Sequence, residues 1–373
     1  MTHRRPARPL RRPAPVASLR SVPRGLRVVA LGGGTGLPVV LRCLKRALAR
    51  TGGVLTGIVT VADDGGSSGR LRRRYQTLPM GDIRNCLVAL SDDEPLMSRL
   101  FQYRYGGRGG LGGHSLGNLI LTALADCRRS YLKAIETSGQ VLAIRGRILP
   151  STLENVVLRA RLRDGRTVRG ESRISKAAAA IDRVETVPAR PAPAPGVLRA
   201  LRDADLIVLG PGSLFTSVIP NLLVRGVARA IAGSRAPRVL VGNLMTQPGE
   251  TDGFSAADHL AAIVRCTGEV LVDAYLANRR PIRPALRRRY AREGARPVTL
   301  DQASLRALGV EIIERDLVRE DGDAAKIRHH EAKLARALLA IARRHAVRRA
   351  VRRAVRGQRP VYNGSRREAQ SQR

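Results

Sequence analysis

The stretch Val28-Val-Ala-Leu-Gly-Gly-Gly-Thr-Gly36 constrains this chain more than any other. In it an apolar run breaks into four glycines within five residues, just before an amphipathic segment. The pattern predicts a buried strand, a tight loop and a helix. A strand covered on both faces is continuously apolar, as Arg27 to Leu31 nearly is. Gly32, Gly33, Gly34 and Gly36, with Thr35 among them, let the backbone turn and let a ligand come close. Leu37 to Leu48 then places Val40, Leu41, Leu44 and Leu48 on one face, with Pro38 accommodated near the first turn. Such a helix points free N–H groups and the positive end of its dipole at the loop, which suits an anion and most naturally a phosphate. Tight packing of a helix on a sheet also calls for glycine, so the loop needs company before it identifies a site. Two familiar phosphate loops are excluded by spacing. No Gly-Lys-Ser/Thr follows, and the dinucleotide fingerprint would put its last glycine at Leu37 or Val39.

Further along, the same design recurs. Gly53 to Val61 is β-branched and suits a second parallel strand. It ends in Ala62-Asp-Asp-Gly-Gly-Ser-Ser-Gly-Arg70, and loops at the carboxyl ends of parallel strands lie side by side. Asp63 and Asp64 suit a metal or a sugar hydroxyl, and Gly65 and Gly66 offer backbone N–H groups. Ser67 and Ser68 add donors, and Arg70 can pair with a phosphate. Gly81-Asp-Ile-Arg-Asn85 opens another helix, with Asp82 expected at its N-cap and Arg84 and Asn85 as ligand contacts. Gly112 to Asn118 repeats the pattern, placing His114, Ser115 and Asn118 in a first helical turn.

From about residue 140 to 187 the texture changes to short alternating strands around an Asp164-Gly165 hairpin signal, which predicts a small β insertion. Pro188 to Gly196, with four prolines in nine residues, is a stiff return segment. A helix from Val197 to Ala204 and a buried strand from Asp205 lead into Gly210, Gly212 and Ser213. The strand beginning at Arg238 leads in turn to Asn243, Thr246 and Gln247. A helix over Asp258–Cys266, a strand over Val270–Tyr275 and a helix over Lys333–Arg343 complete the expected domain, residues 27–342.

Charge marks the ends. The 373 residues carry 67 basic and 30 acidic side chains, a formal charge of +37. Thr2 to Arg27 holds eight arginines and no acid, and Arg343 to Arg373 holds eleven arginines against Glu368. Residues 1–26 and 343–373 are therefore expected to be disordered basic tails. Nucleic acid or an anionic membrane would attract such tails. The absence of interleaved aromatic residues favours plain solvation over base stacking. Cys43, Cys86, Cys127 and Cys266 show no Cys-x-x-Cys pairing and are expected to be small buried hydrophobes of a reducing cytoplasm. No signal-peptide core and no run of eighteen apolar residues occurs, so a cytoplasmic protein without a membrane span is expected.

Six stretches together resemble the gluconeogenesis factor family of the 2-phospho-L-lactate transferase-like superfamily. They are Gly32–Gly36, Val59–Arg70, Gly81–Cys86, Gly113–Asn118, Leu209–Ser213 and Met245–Thr251, in order. The resemblance implies a Rossmann-like α/β/α fold with a mostly parallel sheet. It further implies binding of a nucleotide sugar of the UDP-N-acetylglucosamine type, and a role in cell shape and growth on gluconeogenic carbon sources. A partner in cell-wall synthesis and homo-oligomerisation are part of the same expectation. Tyr290 and Arg328 enter the predicted site only through this resemblance. The related transferase moves a phospholactyl group onto a deazaflavin alcohol with magnesium, for which Asp63 and Asp64 would be the metal ligands. Departures from the family pattern are Pro38, Met80, Phe215 and His330.

Overall fold

The computed structural model describes residues 24–107, 109–177, 179–320 and 326–357. The chain enters through β1 (Arg27–Gly32), whose last five residues are all buried. After α1 (Gly36–Ala49), β2 (Val54–Val59) pairs parallel with β1, bringing Val59 opposite Gly32. Five helices follow, α2 (Gly66–Tyr75), α3 (Gly81–Leu90), α4 (Glu94–Gln102), α5 (Leu116–Arg128) and α6 (Tyr131–Val141). β3 (Arg147–Pro150) then joins the far side of β2. A separate antiparallel sheet comes next, from β4 (Val157–Leu162), β5 (Thr167–Arg169) and β6 (Ile181–Val187), with α7 (Glu171–Ile174) between the last two.

The chain returns to the other side of β1 with β7 (Leu206–Leu209) and builds outward through β8 (Arg238–Val241), β9 (Ala274–Asn278) and β10 (Glu311–Arg315). A short ribbon of β11 (Val318–Arg319) and β12 (Arg328–His329) precedes the C-terminal helix, Glu331–Gly357. The main sheet has the order β10-β9-β8-β7-β1-β2-β3, and every pairing in it is parallel. Helices cover both faces, as the continuously apolar strands demand. The expected Rossmann-like α/β/α architecture is therefore the one formed. Its strand order runs one way from β1 to β3 and the other way from β7 to β10. The order reverses between β1 and β7.

Several boundaries differ from expectation for identifiable reasons. The insertion is confined to residues 157–187, because α6 reaches Val141 and the buried pair Ile148 and Leu149 belongs to the main sheet. The apolar run Ile148 to Pro150 is too short for periodicity to assign it. The ninth strand starts at Ala274 rather than Val270, after Asp273 has accepted the Arg238 backbone N–H at 2.8 Å. The C-terminal helix continues past residue 343 to Gly357, since arginine and alanine are good helix formers and nothing in that stretch breaks the turn. Residues 1–23 and 358–373 of the expected tails lie outside the described residues. Of the four free cysteines Cys86 is buried, as expected, but Cys127 is exposed on α5.

Candidate functional site

Loops leaving the carboxyl ends of β1, β2, β7 and β8 gather on one edge of the sheet, around the reversal of strand order, where ligands of open α/β sheets sit. The two innermost loops touch. A Cβ on Gly36 would lie 2.0 Å from the Pro211 carbonyl oxygen, so only glycine allows α1 to start there. Gly34 turns the first loop at a φ of +57°, in the left-handed region. Asn243 ties in the fourth loop. Its Oδ1 accepts from the Gly212 N–H at 3.1 Å and its Nδ2 donates to the Gly212 carbonyl at 2.9 Å.

A cavity of about 260 Å³ opens at the starts of α2 and α3, lined among others by Asp63, Gly65, Gly66, Asp82, Arg84 and Asn85. Neither helix has a side-chain cap at its N-terminus, so the first-turn N–H groups are left for other acceptors. Arg84 supplies the cation. It is buried, at 7% exposure, and its guanidinium meets only neutral acceptors. Nη1 donates to Ser115 Oγ and to Asn118 Oδ1, the latter at 3.0 Å, and Nη2 donates to Asn85 Oδ1 at 2.9 Å. Nε has no partner. Among the described residues no carboxylate lies within ion-pair distance of it. Burial and then the neighbouring Arg104 charge push its pKa down, partly offset by the carboxylates of Asp82 and Asp63 beyond ion-pair distance.

The expected contacts His114, Ser115 and Asn118 are brought here in a different role. Ser67 Oγ accepts from Asn118 Nδ2 at 3.2 Å and from the Ser115 N–H at 3.4 Å, so its own hydrogen goes to His114 Nδ1 at 3.1 Å. Asn118 Nδ2 also reaches Ser68 Oγ at 3.4 Å. Ser115 is the N-cap of α5, accepting from the Asn118 N–H, and His114 precedes it. The polar atoms of this trio hold the Ser67–Ser68 turn and Arg84 in place. Arg70 is exposed beside them.

Asp82 corrects an expectation. The N-cap position of α3 is Met80, and Asp82 lies inside the first turn, facing the glycine loop, where the Gly34 backbone N–H favours its ionised form. Gly81 opens the helix against Ser68, whose Oγ would lie 2.6 Å from a Cβ at that position. Burial, reinforced by Asp63, raises the Asp82 carboxyl to about 6. Asp63 Oδ1 accepts from the Gly65 N–H at 2.8 Å, and Asp64 Oδ1 accepts from the Ser172 N–H at 2.9 Å. That second bond draws α7 of the insertion onto the loop and carries in Glu171, which no sequence pattern singled out. Burial and then Asp63, Asp82 and Asp64 raise the Glu171 carboxyl well above the carboxylate range, and it shares a hydrogen bond with Asp63.

As for a metal, among the described residues no group of three or more His, Cys, Asp or Glu side chains is placed to hold one. Magnesium usually takes one or two carboxylates and completes its shell with water and ligand phosphates. Asp63 and Asp82, both lining the cavity, fit that smaller requirement. Asp64, the other expected ligand, already accepts from the insertion.

Elsewhere the expected residues divide. Ser213 Oγ accepts from Gln247 Nε2 at 2.8 Å, which links the third and fourth loops. The N–H groups just beyond it are taken: Glu250 Oε1 accepts from Phe215 and Thr216 at 2.8 and 3.2 Å, so the chain's own carboxylate closes that turn. Thr246 is buried and braces Arg296, accepting its N–H at 3.0 Å. Tyr290 packs partly buried against a small second core of Met245, Ile282, Leu286, Ala295 and Val318. Its hydroxyl accepts the Ile327 N–H at 3.2 Å, next to exposed Arg328.

Fold and site together define a doubly wound α/β protein with a glycine-lined crevice at its strand-order reversal. Residues 28–318 match the family model described as 2-phospho-L-lactate transferase CofD, and the chain belongs to this family. It is 47% identical to a protein of Halalkalibacterium halodurans named gluconeogenesis factor, over 84% of this chain and 95% of that one. A Bacillus subtilis protein of the same name is 44% identical over 84% and 97% of the two chains. A crystal structure of a Bacillus halodurans protein superposes with a TM-score of 0.81 at 46% identity, covering 85% of this chain and 100% of that one. Among the described residues no helix is long and apolar enough to cross a membrane.

Proposed function

We propose that this chain is a cytoplasmic gluconeogenesis factor whose crevice holds the diphosphate of a nucleotide sugar of the UDP-N-acetylglucosamine type, and that it acts as a regulator of cell shape. The observation that carries the reading is Arg84. A buried guanidinium bonded only to neutral groups is costly unless an anion completes it. The uncapped starts of α2 and α3 face the same cavity and favour the same charge. Gly32 to Gly36 and Gly210 to Ser213 would form the other wall, and Tyr290 with Arg328 would lie toward the sugar or base. A backbone cradle sees only anionic oxygens, so selectivity rests on those side chains.

Calorimetric titration with UDP-N-acetylglucosamine, UDP and GDP tests this. Saturable binding of the UDP sugar is expected, weakened by roughly 1.5–3 kcal/mol in Arg84→Ala as a charge-assisted hydrogen bond is lost. Absence of binding by the wild-type chain would overturn the reading. A second reading, a magnesium-dependent transferase, is favoured by one observation, Asp63 and Asp82 together on the cavity wall. Repulsion there is relieved by a cation. If that reading holds, affinity depends on magnesium and a chelator abolishes it, and phospholactyl transfer from a guanosine diphosphate carrier is measurable.

A further inference from the structure

The C-terminal helix changes character at Ala342. Up to that residue it belongs to the core, with Leu334, Leu338 and Ile341 buried. From Arg343 it runs free of the core: Val347 and Val351 are 58% and 57% exposed. This second half carries Arg343, Arg344, Arg348 and Arg349, and the helical sequence continues with arginines at 352, 353 and 356. Beside it a cavity of about 510 Å³ lies between the helix and the edge strand β10. A second cavity of about 230 Å³ shares Glu311, Arg344 and Arg348 with the first and extends it along the starts of β8 and β9.

The charge of this groove is one-sided. Its two acids are already engaged. Glu311 receives both Arg344 nitrogens, at 2.7 and 2.6 Å, and Asp273 is paired with Arg238. Among the described residues no carboxylate lies within ion-pair distance of Arg235, Arg315, Arg343 or Arg348. We propose that this face binds the phosphate backbone of a nucleic acid without reading its sequence. Guanidinium groups fork onto phosphate oxygens, and a row of them along a helix matches a row of phosphates. Backbone capture is driven by counterion release, for which aromatic stacking is unnecessary. An anionic membrane is the other polyanion a basic helix meets. The apolar side here, however, offers only valine and alanine, without the large side chains that anchor interfacial helices. The smaller cavity lies at the amino ends of β8, β9 and β10 and the larger runs the length of the edge strand β10, whereas the glycine crevice lies beyond the carboxyl ends of β1 and β7 in the middle of the sheet. Both ligands can therefore be bound at once.

The test uses the full chain and the variant carrying Arg343→Gln, Arg348→Gln and Arg349→Gln together, substitutions that keep helix propensity. Circular dichroism checks that the helix persists. Fluorescence anisotropy with labelled mixed-sequence oligonucleotides, as single-stranded RNA, single-stranded DNA and duplex DNA, is followed between 50 and 200 mM KCl. Wild-type affinity is expected to fall steeply with salt. The variant should bind more weakly, with a log–log salt slope shallower by about two on single strands, since each phosphate contact contributes about 0.7. The tighter of the RNA and DNA arms identifies the source of the backbone. An unchanged slope in the variant overturns the proposal. So does arginine-dependent binding to phosphatidylglycerol vesicles that oligonucleotides fail to compete away.

Discussion

Asp82 shows how one residue can work against the site that it helps to build. Its carboxylate faces the glycine loop, where the Gly34 N–H favours its charge, yet it places an acid where an anionic ligand is proposed. Burial raises it from an ordinary 3.8 to about 6, with Asp63 adding to the effect. The folded chain thus keeps a proton between about pH 4 and 6 that the unfolded chain has released, and stability declines as pH rises through that window. Asp82→Asn removes the charge and keeps the size and a side-chain oxygen facing Gly34. Urea unfolding should show this variant more stable at pH 7, by up to roughly 2–3 kcal/mol, with a flatter dependence between pH 4 and 6. A variant less stable than wild type at pH 7 would mean that the ionised carboxylate is compensated by a neighbour. Tyr290 makes the opposite case, a residue proposed for ligand contact whose hydroxyl already has a partner. Tyr290→Phe frees the Ile327 N–H and should cost about 1 kcal/mol of stability. If the hydroxyl acts only by fixing the strand that carries Arg328, the affinity lost for a UDP sugar in this variant should match that lost in Arg328→Ala. Titration of the two side by side decides it.

Among elements, the decisive contact is α1 against the loop after β7, because these two flank the reversal of strand order. Gly36 needs no unusual φ; it is glycine because Pro211 O occupies the space of a Cβ. Gly36→Ala should therefore push α1 away from the sheet, costing about 1–3 kcal/mol as overpacking does and disordering the crevice as well. Thermal unfolding with and without ligand measures both, and a variant with wild-type stability would show that the loops can part without penalty. This contact also explains why so much of the architecture was legible in the sequence. An apolar run that breaks into glycine marks a strand whose carboxyl end must turn sharply, as at Gly32, Gly210 and Gly242, and the run of β2 breaks at Asp63-Asp64 just before its own glycines. Glu171 and Glu250 were illegible. A lone glutamate carries no periodicity, and its meaning comes from a partner distant in sequence, Asp63 for the first and the Phe215–Thr216 turn for the second. Asp82, by contrast, was legible as a residue of the site but not in its role, since capping and loop-holding ask for the same side chain one or two positions apart.

At the scale of the whole molecule, the question is where the folded unit ends, because the C-terminal helix belongs to the core in one half and to the surface in the other. Leu334, Leu338 and Ile341 fill the core, and Arg42 reaches Glu331 at 2.9 Å to fix the start of the helix. Burial of three such side chains contributes roughly 1.5–3 kcal/mol each. Their sum approaches the entire stability of an ordinary domain, about 5–15 kcal/mol. Beyond Ala346 the described side chains are mostly exposed, and the Arg344 pair with Glu311 lies before that point. A chain ending at Ala346 should therefore unfold in urea within about 1 kcal/mol of the full protein, since exposed helical residues add little. It should also keep its response to a UDP sugar, because the removed residues border the edge strand β10 and the crevice lies at the middle of the sheet, between β1 and β7. A chain ending at His330 should fail to fold. If instead the Ala346 chain lost several kcal/mol, the arginine-rich half of the helix would have to be packing against something, and the groove beside β10 is the surface it would be packing on.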